Sequence, residues 1–81
     1  MHEMGIASSV IEAVRAEAAR RPGARVIRVG LRIGELSGVE RDSLSFCFEA
    51  LTRETELENA VLAIEGASRD ELDLTFLELE E

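Results

Sequence analysis

Apolar positions recur at helical spacing over residues 5 to 20. Ala7, Val10, Ile11, Val14 and Ala18 fall on one face, while Glu12, Arg15, Glu17 and Arg20 point away. Pro22 and Gly23 then end the helix. From Arg25 to Gly34 the period drops to two. Ile27, Val29, Leu31 and Ile33 lie on one side and Arg28 and Arg32 on the other, which predicts a half-buried strand. Gly34, Ser37 and Gly38 mark a turn. A second helix is expected over Glu40 to Thr55, with Leu44, Cys47, Phe48 and Leu51 at i, i+3, i+4 and i+7. Ser37 and Glu40 have capping-box spacing, and a start at Glu40 itself fits equally well. Val61 to Glu65 reads as a short strand and Leu72 to Leu79 as another. Leu72, Leu74 and Phe76 alternate, then parity shifts at Leu77 and Leu79, the mark of a bulge or of an end buried on both faces. The short GASRD stretch between these strands suits a hairpin loop. The order is α-β-α-β-β, and no internal repeat is visible. The expected fold is α+β: one small domain, two helices packed on a three-stranded mixed sheet.

Length bounds this picture. Eighty-one residues make one domain at most, with a modest core. Hydrophobic content of 46% is too high for a disordered chain. No apolar run approaches the ~18 residues of a membrane helix. The opening MHEMGIASS has no basic region before an apolar core, so it does not read as a signal peptide. That absence and a reduced-thiol composition lead to an expected cytoplasmic location. The net charge of −8 argues against nucleic acid and against anionic membrane surfaces. It suits cations or a basic partner face. A single cysteine leaves no internal disulfide and no CxxC zinc knuckle. Without Trp or Tyr, and with three Phe, base-stacking platforms are excluded too. No nucleophile–base pair can be assembled beyond His2 with a carboxylate, so the chain does not read as an enzyme.

The unusual feature is His2, one residue after the start. An amine, an amide nitrogen and an imidazole follow one another there and can form adjacent chelate rings on one metal ion. Deprotonated amides of His2 and Glu3 would be strong anionic donors, and planar nitrogen donors favour Ni(II) or Cu(II) over Zn(II). The plain alternative is a mobile surface histidine. Other candidates have structural readings. Cys47 lies on the apolar stripe of the second helix, as free cysteines commonly do. Met4 fits packing at the helix start as well as a thioether ligand. Glu54, Glu56 and Glu58 read as a solvated helix end, and Glu78, Glu80 and Glu81 as loose attractors of cations. Arg15, Arg20, Arg21, Arg25, Arg28 and Arg32 read as solvent-side charges. Gly30 interrupts the first strand, where it admits a close approach or marks a bulge.

The start MHEMGIASSVIEAV resembles the opening of the HypA/HybF family of hydrogenase nickel-incorporation proteins. VIRVGLRIGELSGVERDSLSFCFEALTRET is similar to that family's central region, and ELDLTFLELEE to its last strand. The resemblance implies a metallochaperone that binds Ni(II) near Met-His-Glu. It implies delivery during maturation of nickel-iron hydrogenase and, in some bacteria, of urease. Its implied partners are a nickel-handling GTPase and the hydrogenase large subunit. By position, Met1, His2 and Glu3 match the nickel motif. Met1 would give its amine, His2 imidazole and amide nitrogen, and Glu3 its amide nitrogen or carboxylate. Glu40, just after GELSGV, matches an acidic position that contributes in some relatives.

The family carries a zinc domain with two CxxC pairs between its last two strands. Here residues 65–70, Glu-Gly-Ala-Ser-Arg-Asp, stand in its place. The expectation is therefore a nickel-binding domain over residues 1–81 with no zinc, deleted either by design or in this lineage. A short link between strands allows a monomer or a strand-exchanged dimer. The competing expectation is a metal-free acidic interaction module that docks on a maturation partner.

Overall fold

The computed structural model describes residues 2–81. Five elements follow the expected order: α1 (Glu3–Ala18), β1 (Arg25–Gly34), α2 (Arg41–Thr52), β2 (Val61–Ala67) and β3 (Leu72–Glu80). The fold is α+β, with both helices on one face of a three-stranded mixed sheet.

β1 is the middle strand. β2 pairs with it in parallel and β3 antiparallel, giving the order β2-β1-β3. The hairpin expected between β2 and β3 does not form. α2 carries the chain back so that β2 lies parallel to β1, as a βαβ unit does. The chain then crosses the end of β1 to reach its other edge. β2 also runs on to Ala67, so the connection is residues 68–71 rather than 65–70. It is sealed onto the end of β1 by backbone hydrogen bonds. The N–H of Gly34 donates to the Glu71 carbonyl (2.9 Å), that of Glu35 to Ala67 (2.9 Å) and that of Leu36 to Arg69 (2.7 Å). A Cβ on Gly34 would stand 2.0 Å from the Arg69 carbonyl oxygen. Glycine at this position lets the crossover close.

The parity shift in β3 is a bulge. Gly30 faces Phe76 but Leu31 faces Leu74, leaving Thr75 extra. Leu74 therefore shares the inner face with Leu77 and Leu79, while Phe76 turns to the outer face. There its ring lies over Gly30, whose added Cβ would meet it at 2.2 Å. Gly30 thus serves a close approach beside a bulge, made by a neighbouring strand's ring. A second irregularity leaves Ile27 unpaired between Val26 and Arg28. Val26 takes the buried place expected of Ile27, and Ile27 is half-buried.

The core joins Ala7, Val10, Ile11 and Val14 of α1, Leu44, Cys47 and Phe48 of α2, and the inner row Val29, Leu31 and Ile33 of β1. Cys47 is a core residue, as its stripe implied. Leu51, expected inside, is partly exposed because α2 ends at Thr52. Leu57, in the turn that follows, closes the core instead. Above it the Arg15 guanidinium forms a two-pronged pair with Glu56, Nε to Oε2 at 2.7 Å and Nη2 to Oε1 at 3.1 Å. Glu56 is therefore a latch between the end of α1 and the turn after α2, not merely a solvated acid. Three acids at the end of β3 and just beyond it are also engaged: Glu78 with Arg28, Glu80 with Arg25, and Glu81 with Arg21.

Candidate metal site

The candidate site lies where both helices begin. His2 is the N-cap of α1, with φ −95° and ψ 82°, and its carbonyl accepts the Ile6 N–H at 3.1 Å. Its imidazole makes no capping hydrogen bond and the residue is exposed. The first amides of an α-helix have no intrahelical acceptor. At the start of α1 the Glu3 amide is one of these, so losing its proton would break no helical rung. The positive end of the helix dipole also favours a negative charge there.

Glu3 and Glu40 are brought together, though not carboxylate to carboxylate. Glu3 Oε2 accepts the backbone N–H of Glu40 at 3.0 Å. That hydrogen bond is the main reason the Glu3 carboxyl is held below its ordinary range. The Glu40 side chain turns onto its own helix. As N-cap of α2 it accepts from Ser43 N–H at 2.9 Å and from Asp42 N–H at 3.3 Å. Of the two helix starts considered, the one at Glu40 is formed. Ser37 instead accepts from Val39 N–H at 3.2 Å.

The amine assigned to Met1 lies outside the described residues. Met4 sits on the first turn of α1, about half exposed. Among the described residues no three His, Cys, Asp or Glu side chains converge to hold an ion. The Glu3–Glu40 link was missed from sequence. Its one local signal is an acid directly before a helical stripe, a capping position.

Residues 1–70 match the model of a family described as hydrogenase/urease nickel incorporation, metallochaperone, hypA. The hydrogenase maturation factor HypA of Geobacter metallireducens is 54% identical over 65 residues, which are 80% of this chain and 56% of that protein. The HypA of Pelodictyon phaeoclathratiforme is 49% identical over the same shares. Among solved structures, the solution structure of the Ni metallochaperone HypA from Helicobacter pylori superposes with a TM-score of 0.73 at 28% identity. The match covers 82% of this chain and 57% of that one. This fold and these relatives define a class of protein that handles a metal for insertion elsewhere, not an enzyme. Within that class the chain belongs to the HypA family of nickel-incorporation metallochaperones. It spans a little over half the length of the relatives it matches. No helix among the described residues is long and apolar enough to cross a membrane.

Proposed function

We propose that residues 1–81 form a nickel-binding domain that captures Ni(II) at Met1–His2–Glu3 and passes it on for maturation of nickel-iron hydrogenase. Ni(II) is the cargo. The single observation that carries this reading is His2, exposed at the start of α1 with its imidazole free of any capping bond. Where Met1 is the mature terminus, its amine, the His2 amide nitrogen and the His2 imidazole close two fused chelate rings. The amide nitrogen lies between the other two donors and can have only those two as neighbours in a square plane. The position opposite it stays open. A carboxylate reaches that position only if Glu3 leaves the Glu40 N–H or Glu40 leaves the cap of α2, and an acceptor's ligand can attack it there.

Charge favours the arrangement. One deprotonated amide and the Glu3 carboxylate together balance the two charges of the ion beside a positive helix end. Proton release on binding makes affinity fall in acid. Release to the hydrogenase large subunit needs either a tighter acceptor site or the work of a nickel-handling GTPase, and urease is a second possible recipient class. In this reading the 68–71 crossover stands where longer family members carry a zinc module, so nickel capture needs no zinc.

Titration of untagged protein with Ni(II) near neutral pH, followed by visible absorbance, tests the proposal. A saturable d–d band is expected from planar nitrogen ligation. It should vanish in His2→Ala and in protein extended by one residue before Met1. A band indifferent to both changes, or no saturable band, rejects the terminal chelate.

A further inference from the structure

We infer that the Met1 side chain staples the start of α1: it seats beside Ile6 in the trough between α1 and β3 and so anchors the amine of the proposed nickel chelate. His2 is the N-cap of α1, so Met1 holds the position before the cap and Ile6 is the fourth residue of the helix. Apolar residues at these two positions often pack on each other and set the angle at which the chain enters a helix. The usual side-chain devices do not serve here. His2 makes no capping hydrogen bond, and Gly5 stands where a capping box has Glu or Gln. An imidazole left free for metal thus leaves the first turn to be fixed by the Glu3–Glu40 tether and by Met1.

The trough gives this side chain a seat within reach. His2 lines it, so the residue bonded to His2 enters from its edge. Ile6 lines the same trough, as do Leu72 and Leu74 of β3. Gly5 and Ser9 line it too, and neither has a side chain long enough to close it. Leu72 is 41% exposed, although its partner on β1, Ile33, is 1% exposed. An unbranched methionine fits an irregular apolar gap of this kind. Met4 does not line the trough, and Met1 is the apolar residue joined to its edge. The consequence for nickel rests on the terminal-chelate reading. A seated side chain restricts the backbone between the amine and His2. A larger fraction of molecules then holds the two donors together, and apparent affinity rises with that fraction. Met1 is in this respect a positioning residue, through its side chain and beyond the amine it supplies.

For the test, wild type and variants are released from a cleavable amino-terminal fusion, so that each begins at residue 1. In metal-free, isotope-labelled protein the Met1 methyl should show nuclear Overhauser contacts to the methyls of Ile6 and Leu72. Met1→Ala keeps all three nitrogen donors. It should speed exchange of the Ile6 amide, which donates to the His2 carbonyl, by about fivefold, as expected for half-burying one large apolar side chain. Nickel binding should weaken by a similar factor. Met1→Leu keeps the apolar bulk and lacks sulfur, and it should restore both. In a Leu72→Thr background Met1→Ala should change the exchange less. Missing methyl contacts, Ile6 exchange indifferent to Met1→Ala, or an equal effect in the Leu72→Thr background would each overturn the staple. Unchanged nickel affinity in Met1→Ala would overturn the positioning role. Nickel binding as weak in Met1→Leu as in Met1→Ala would make the sulfur a ligand and overturn it too. If the nickel band survives in His2→Ala, the terminal chelate fails and the positioning role with it, while the metal-free contacts decide the staple separately.

Discussion

The Glu3 carboxylate accepts the backbone N–H of Glu40 at 3.0 Å, so the start of α1 is tied to the cap of α2. The bond joins two residues 37 positions apart and fixes the entry of the chain into α1. It also keeps the Glu40 amide, one residue ahead of α2, from being left without a partner. Glu3→Ala is expected to loosen the first turn of α1 and to weaken nickel binding. Glu3→Gln retains a carbonyl acceptor for the same N–H and should retain most of the helix start while losing the negative charge. Hydrogen exchange at the Glu40 amide reads the tether, and nickel titration of the same variants reads the charge. If Glu3→Gln exchanged as fast as Glu3→Ala, the tether would not depend on that acceptor.

The crossover onto β1 leaves no room at Gly34. An added Cβ would meet a backbone carbonyl oxygen, that of Arg69, at 2.0 Å, and no side-chain rotation relieves such a clash. Gly34→Ala should therefore cost about 2–4 kcal/mol, in the range of substitutions that force backbone apart. Urea denaturation gives the total. Exchange at the Glu35 and Leu36 amides, which donate to Ala67 and Arg69, shows whether the loss is local. Gly30→Ala meets the Phe76 ring instead, and that ring is partly exposed and can swing outward. Its expected cost is about 1 kcal/mol. Adding Phe76→Ala should recover part of it, a non-additivity that a double-mutant cycle detects.

These two glycines also show what was legible in the sequence. A break in the alternation is visible along the chain, so the bulge in β3 and the element order could be read from it. Burial of Ala7, Val10, Ile11, Val14, Leu44, Cys47 and Phe48 followed from helical spacing alone. Which strands pair did not follow. A short polar link serves a hairpin or a crossover equally, and the choice depends on α2 returning the chain parallel to β1. The latch at Glu56 and the tether at Glu3 are likewise tertiary. Glu56 sits among Glu54 and Glu58 with nothing local to separate it from them, and the capping position of an acid before a helical stripe does not name its partner 37 residues away. The proposed role of His2 can be raised from sequence because a terminal chelate would be built from consecutive residues and would need no tertiary contact.

Acid should weaken the latch. The Arg15 guanidinium holds the Glu56 carboxyl below its ordinary range, and in turn the Arg15 guanidinium is held protonated more firmly. A carboxyl lowered in the folded state gives stability that is fully present above its unfolded value. That stability is lost as pH falls through the lowered one. The pair is exposed, so its contribution is about 0.5 kcal/mol. Glu56→Gln should lower the urea midpoint slightly near neutral pH, and the difference should shrink toward zero in strong acid. A difference that grew on acidification would mean that the pair does not stabilise the fold.

All nine basic residues of the chain are arginines, so no side chain carries a primary amine. When Met1 is the mature terminus, its α-amine is the only such group, and an amine-selective acylating reagent can act at one place. Acylation removes the basic lone pair that the proposed chelate needs, while the bulk of the fold is untouched. Protein acylated once should therefore lose the nickel band yet keep its far-ultraviolet circular dichroism. Bound nickel should in turn slow the acylation, because a coordinated amine is no longer nucleophilic. Mass spectrometry at timed intervals, with and without Ni(II), measures both effects, and His2→Ala supplies the reference rate. Protection in wild type but not in His2→Ala would place the amine and the histidine on the same ion. Equal acylation rates with and without saturating nickel would remove the terminal amine from the ligand set and leave His2 to bind, if at all, with other donors.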